Sequence, residues 1–309
     1  MFRYFSFYRI FLSLILFLAC LPIQAAERVQ PFVLASQNDI NFENTIKETK
    51  QKLEDGGFTV IGSYQPYDNA ATITFTNDKL KSVSQKSIRG GYGAVMRVSV
   101  TRVENRTEVS FTNPVYWASA YRLNDDLKDI YVALKSTLGY LKDFGSGDKI
   151  LTESDLRKYH YTIMMEYFDD PSELEDFSSH AQAVQAVEKN LAAGKGATEK
   201  VYQLALGKDK NGKEMTLFGV ALKGKGEDDC SGDSYIMSRI DKSTPRHTAH
   251  LPYELLVYGD KVEALYARFR IAISWPHLPM MQSDTGATFM SIMCSPGAIE
   301  DALEEVADD

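Results

Sequence analysis

Two stretches of this chain carry the same succession of signals, and that repetition restricts the possible architectures more than composition does. In the first stretch, residues 41–53 place Phe42, Ile46, Thr49 and Leu53 at helical spacing and stop at Gly56-Gly57, where a helix end favours a left-handed residue. Alternating strand patterns follow at 58–64 and 71–76. A hairpin then runs from 94–103 to 107–112 through the polar turn Glu104-Asn105-Arg106. After Pro114, the residues Leu127, Ile130, Tyr131, Leu134, Leu138 and Leu141 trace one stripe of a long helix, and a short strand at 31–35 opens the unit. In the second stretch, 179–191 sets Val184, Val187 and Leu191 on a helical face, and 200–206 and 215–222 read as strands. Residues 251–258 turn through Gly259-Asp260 into a strand over 262–274, which ends at Trp275-Pro276 as its counterpart ends at Asn113-Pro114. The pattern also predicts an opening strand at 161–168, a further strand at 287–294 with Met290 and Met293 buried on it, and a terminal helix from Ser295-Pro296 containing Ile299, Leu303 and Val306. The expected fold class is α+β, with two tandem β-α-β4-α units at 31–141 and 161–309. A linker at 142–160 joins them, loosest at Gly145-Ser146-Gly147.

Residues 1–25 read as a signal peptide, with Arg3 and Arg9 before an apolar run at 10–21, then Pro22 and Ala25-Ala26. The run is too short for a membrane span, so the expectation is a periplasmic or secreted protein with no transmembrane helix in its mature chain. Cys20, preceded by Phe17-Leu18-Ala19, offers the alternative of a lipid anchor. Cleavage would leave Cys230 and Cys294 as the remaining thiols. An oxidising compartment lets such a pair bond, although two buried free thiols are equally compatible with the spacing. The 44% hydrophobic and 25% charged content is that of a folded chain rather than a disordered one. Losing Arg3 and Arg9 takes the formal charge from -8 to -10, opposite to what a nucleic-acid partner requires.

The segment Leu251-Pro252, Leu255-Leu256-Val257-Tyr258-Gly259-Asp260 and the strand running to Pro276 resembles the bacterial domain-of-unknown-function family 302. That family's signature is a leucine-proline pair, a Val-Tyr-acidic strand, a turn, and a strand ending in proline. The first half fits the hairpin through Arg97-Val98-Ser99-Val100 and Val109-Ser110-Phe111-Thr112-Asn113-Pro114, without the leucine-proline pair. The resemblance implies a fold similar to the TATA-binding-protein class, a curved antiparallel sheet with helices on one side, and it implies no particular reaction.

Catalytic signatures are sparse. The sequence has no G-x-S-x-G elbow, H-E-x-x-H pair, P-loop or G-x-G-x-x-G turn. Gly90-Gly91-Tyr92-Gly93 leads into a strand, not a helix, and reads as a flexible strand entry. His247 and His250 lie three apart between Pro245 and Pro252, a setting that argues against one helical face and for a polar surface loop. His277 with Met280, Met281, Met290, Met293 and Cys294 makes a run of soft donors suited to Cu(I), though methionine is also a common core filler. On the predicted strand 262–274, Leu265, Phe269, Ile271 and Ile273 alternate with Tyr266, Arg268 and Arg270, which would give one core face and one cationic face. Tyr116, Trp117 and Tyr121 follow one strand end and Trp275 follows the other, bordering either a shared pocket or a packed interface.

The functional expectation is an exported, non-catalytic protein, with no cofactor and no metal. It would bind a small apolar or amphipathic molecule, or an envelope protein, between its halves through Tyr116, Trp117, Tyr121, Tyr266, Arg268, Arg270, Trp275 and His277. The alternatives are an exported enzyme with a site near Arg268, Arg270 and His277, and a periplasmic copper-handling protein.

Overall fold

A computed structural model describes residues 27–308; the leader reading and Cys20 lie outside the described residues. Strand β1 (Phe32–Asn38) leads into helix α1 (Phe42–Asp55), which begins where the Asn41 side chain accepts the backbone N–H groups of Glu43 and Asn44. Then come β2 (Thr59–Tyr67), β3 (Ala70–Thr76), α2 (Asp78–Gln85), β4 (Met96–Val103), β5 (Arg106–Thr112), α3 (Pro114–Ala120) and α4 (Lys128–Leu138). The short β6 (Lys142–Phe144) and α5 (Glu153–Leu156) precede β7 (Ser172–Asp176) and α6 (His180–Ala192). The chain ends with β8 (Thr198–Lys208), β9 (Glu214–Leu222), α7 (Asp233–Ile240), β10 (Tyr253–Tyr258), β11 (Lys261–Ala264), α8 (Ala267–Ser274) and α9 (Ser295–Ala307). One sheet has the order β2-β3-β4-β5-β1-β6, the other β7-β11-β10-β9-β8. Every pairing is antiparallel. The architecture is α+β, as the periodicity indicates.

The largest departure from the sequence reading lies at 262–274. That segment is strand only as far as Ala264 and then becomes α8. Apart from Arg268, every α8 residue is buried, and an interior helix that is apolar on nearly all sides presents no periodicity that distinguishes it from a buried strand. Arg268 and Arg270 therefore do not share a cationic sheet face. Two residues span about 200° of helix, so Arg268 reaches solvent while Arg270 is buried. The predicted strand at 287–294 is instead a single 3-10 turn (Phe289–Ile292) that buries only Phe289 and Ile292. Met290 and Met293 are exposed, at 48% and 71%, not buried. The second half opens its sheet at β7, whereas 161–168 forms irregular turns. The long helix predicted after Pro114 breaks between α3 and α4, where Arg122 and Leu127 adopt positive φ. His247 and His250 are 3% and 0% exposed, and so are interior rather than surface groups.

The interior is one continuous apolar cluster, and a buried ionic hub crosses it. Arg97 of β4 and Arg270 of α8 both converge on Glu254 of β10. Arg97 Nη2 donates to Oε1 and Arg270 Nη1 donates to Oε2 at 3.0 Å. Tyr202 of β8 donates to Oε1 at 2.8 Å, and Arg270 Nη2 donates to the carbonyls of His250 and Pro252 at 2.7 and 3.0 Å. Burial alone would lower the pKa of Arg97, but the Glu254 carboxylate beside it holds it above the ordinary arginine value. Burial, reinforced by Arg270 and Arg97, pushes His250 well below its usual value, so His250 is neutral, with Ser274 and Tyr253 as hydrogen-bond partners. A second crossing pairs Arg89 Nε with both oxygens of Glu263 of β11, at 2.9 and 3.0 Å. Gly62 of β2 marks a close backbone approach to β8, since a Cβ there would stand 2.4 Å from the Val201 carbonyl oxygen.

Two outcomes follow from this packing. Glu254→Ala leaves two buried guanidiniums without a counter-charge and is expected to lower unfolding free energy by about 3–5 kcal/mol in urea denaturation. Asp233, buried and accepting from Tyr64 and from the Leu222 N–H, has its pKa raised to about 7, chiefly by burial. Between the unfolded carboxyl value near 4 and that raised value, the folded state holds a proton that the unfolded state has released. The stability contributed by Asp233 should therefore be present at low pH and decline as pH rises towards 7, by at most about 1.4 kcal/mol per unit. Asp233→Asn should flatten that slope in a pH series of denaturation curves.

Candidate functional site

Among the described residues, a group of the exposed large apolar side chains, Ile163, Met164, Met280, Met290 and Met293, borders one groove of about 610 Å3. One wall is the turn containing Ile163, Met164 and Met165; Met164 has φ 70° and is 92% exposed. Tyr266, Ala267 and Arg268 at the start of α8 form the floor. The opposite wall holds Met280, the 3-10 turn with Phe289, Met290 and Ile292, then Met293 and the first turns of α9 with Pro296, Gly297 and Glu300. Backbone hydrogen bonds from Phe289 and Met290 to the carbonyls of Pro279 and Met280 hold these two segments side by side.

The polar groups are few. Arg268 forms an ion pair with Glu166, whose second oxygen is buried and has no hydrogen-bond partner. Glu300 Oε1 accepts from the Ser172 hydroxyl. A Cβ placed on Gly297 would meet nothing within 4 Å, so α9 leaves open space on the groove side at that position. Cys294 at the start of α9 is bonded to Cys230, with Cα atoms 5.8 Å apart. This bond ties the Met293 wall to the loop before α7.

The structure divides the sequence-derived site residues. Tyr266 and Arg268 line the groove. Tyr116, Trp117 and Tyr121 are at most 1% exposed: Tyr116 donates to the Ile273 carbonyl at 2.8 Å, Trp117 Nε1 donates to the Pro31 carbonyl at 2.9 Å, and Tyr121 stacks on Phe168. Arg270 belongs to the ionic hub. Trp275 is 1% exposed and His277 is half-buried, both away from the groove. Periodicity missed Ile163, Met165, Phe289, Gly297 and Glu300 as lining residues. The signal for this region was the run of methionines, of which Met280, Met290 and Met293 do converge. His277 lies elsewhere and the Cys294 sulfur is spent in its disulfide, so the mixed donor set of the soft-metal reading does not assemble.

One pair has the form of catalytic machinery. His247 Nδ1 lies 3.2 Å from Asp241 Oδ1, and the His247 N–H also donates to that carboxylate. The pair is buried, and Nε2 is nearest the Gly145 carbonyl at 3.5 Å. Among the described residues no serine, threonine or cysteine side chain is hydrogen-bonded to His247. Nor do three or more His, Cys, Asp or Glu side chains among the described residues gather as a metal site. Comparison with protein families, curated proteins and solved structures finds no match.

Both sulfurs of the disulfide belong to residues at least partly open to solvent, which makes the bond accessible to a reductant. Reducing it, or replacing both cysteines with serine, should lower unfolding free energy by up to about 4 kcal/mol on the loop-closure account for a 64-residue separation. Thiol labelling of the denatured protein before and after reduction, alongside denaturation curves, measures both halves of that statement.

Proposed function

We propose that this is an exported binding protein that takes a small amphipathic molecule in the methionine-lined groove. Its apolar part would lie against Met164, Met290 and Met293, with its polar head hydrogen-bonded near Arg268 and Glu300. The observation that carries this reading is the convergence of exposed Met and Ile side chains on one concavity of about 610 Å3 with only a few polar groups in it. Unbranched thioether side chains adapt to ligands of varied shape. Tyr116, Trp117, Tyr121 and Trp275, the aromatic residues expected to border a shared pocket, are at most 1% exposed, whereas the groove leaves room for a ligand. Export is supported by the leader-like first 25 residues and the Cys230–Cys294 bond. No helix among the described residues is long and apolar enough to cross a membrane. We also read the two sheets as copies of one unit, of the kind that the resemblance to family 302 implies. The supporting facts are the order β2-β3-β4-β5-β1 in one and β8-β9-β10-β11-β7 in the other, and a helix after the first, third and fifth strand of each.

The apolar fluorophore N-phenyl-1-naphthylamine tests the groove. Saturable enhancement with the native protein is expected. Gly297→Leu should weaken it about tenfold or more while leaving the melting temperature equal or slightly higher, since leucine is the better helix former by roughly 0.8 kcal/mol. Equal binding by Gly297→Leu, or no binding by the native protein, removes the support for a ligand groove. A second reading, capture of a soft cation such as Cu(I), is favoured by the five methionines that line the same groove. The Met290→Leu and Met293→Leu double variant separates the two, because it should retain fluorophore binding but lose Ag(I) binding only if thioethers are ligands.

A further inference from the structure

The two charged side chains that line the groove differ in what opposes them. Arg268 is held by Glu166 in an ion pair. Glu300, on the opposite wall, forms no ion pair among the described residues, and its Oε1 accepts from the Ser172 hydroxyl. We propose that the groove selects amphiphilic organic cations, with the apolar body along the methionines and an ammonium head against the Glu300 carboxylate. This rests on the groove reading and adds to it the sign of the ligand's charge.

Glu300 lies within α9 and is half-buried. Among the described residues its Oε2 has no hydrogen-bond partner, and it is not one of the buried side-chain oxygens left without one, so it is open to solvent. The groove thus carries one carboxylate with an accessible oxygen and no counter-charge. Asp301, Glu304 and Glu305 follow in the same helix, which contains no Lys or Arg, and of these only Glu305 meets a lysine, Lys225. Carboxylates grouped in this way set up a negative potential that raises the local concentration of cations, and the formal charge of -8 on the whole chain acts in the same direction. The opposing influence is the N-terminus of α9 at Pro296 and Gly297, where the helix dipole places about half a positive charge. Pro296 has no N–H to donate, and the full charge of Glu300 exceeds that half.

An anionic head meets two obstacles here. It faces the unopposed Glu300, and it competes with Glu166 for Arg268. Glu166 Oε2 is buried without a hydrogen-bond partner, and Arg268 is the one ion-pair partner of that carboxylate among the described residues. Drawing Arg268 towards a ligand therefore strips a mostly buried charge of its partner, which is costly. A neutral head avoids both obstacles but gains nothing from the Glu300 charge. A cation gains from it, and Tyr266 on the groove floor adds an aromatic ring of the kind that attracts ammonium groups. Flexible thioether walls then accommodate an alkyl body without fixing its shape.

Decyltrimethylammonium, decyldimethylamine N-oxide and decanoate share one alkyl chain and differ in the net charge of the head: positive, neutral and negative. Each is titrated into the native protein by calorimetry at neutral pH and low salt, below its micelle concentration. The cation is expected to bind about tenfold more tightly than the N-oxide, a difference of about 1.4 kcal/mol, and decanoate more weakly than either. Added salt should shrink the advantage of the cation, because Glu300 acts from a solvent-open position. Glu300→Gln, which keeps an oxygen for the Ser172 hydroxyl, should bring the cation and N-oxide affinities together, and Gly297→Leu should weaken all three ligands alike. Equal affinity for the three heads or a preference for decanoate overturns the proposal and leaves the groove in place. So does a cation preference that survives Glu300→Gln, or that survives added salt should the variant fail to fold. Absence of cation binding also overturns it, and absence of fluorophore enhancement as well overturns the groove reading with it.

Discussion

Glu254 between Arg97 and Arg270 is the interaction on which the arrangement of the two sheets depends. One carboxylate serves two guanidiniums in an interior where none of the three is more than 2% exposed. Such a group gains little net stability over a well-packed apolar equivalent, because desolvating three charges costs about what their attraction returns. Its effect is on alternatives. Any docking of the first sheet against the second that separates Arg97 from Glu254 leaves bare charges in a low-dielectric interior, and those arrangements are disfavoured by several kcal/mol. The Tyr67–Thr248 hydroxyl pair, the hydrogen bonds that Tyr116 and Tyr159 donate to the carbonyls of Ile273 and Ala272, and the Arg89–Glu263 pair add further links between the two parts of the chain.

Fixing the sheets also fixes α8, because Arg270 sits in its middle. The start of α8 with its capping residue supplies Tyr266, Ala267 and Arg268 to the groove, and the residues that follow the helix deliver Trp275 and His277 to a smaller cavity of about 240 Å3. The segment from Pro279 to Phe289 divides the two spaces, contributing Met280 and Phe289 to one and Pro279, Ser283 and Asp284 to the other. The Cys230–Cys294 bond holds the start of α9 against the same region. Both concavities are thus assembled around one buried helix, with walls from segments that have little regular structure of their own, a common arrangement for binding residues.

Much of the fold was legible in the residues. The stripes of α1, α4, α6 and α9 and the alternation of β2, β3, β4, β5, β8, β9 and β10 follow directly from helical and strand periodicity. The helices α2 and α7 were not, because eight residues with two or three apolar positions make a stripe too short to stand out. Of the candidate site, the cluster of methionines after Pro279 was visible, as were Tyr266 and Arg268. The turn carrying Ile163 and Met164 was not, since it is close to the groove only through folding, more than a hundred residues from the opposite wall in sequence.

By itself the sequence determined the α+β class, most of the longer strands and helices, and the proximity in chain of Trp275, His277 and the methionines, because these rest on local pattern. Tertiary structure alone decided that residues 267–274 coil into a helix rather than extend. Burial on nearly every side erases the periodicity that separates the two states, and β11 finds in β7 a partner of only five residues. That choice turned two arginines on one presumed face into an interior anchor and a groove residue. Such juxtapositions depend on which surfaces meet in three dimensions, and local pattern carries no information about that.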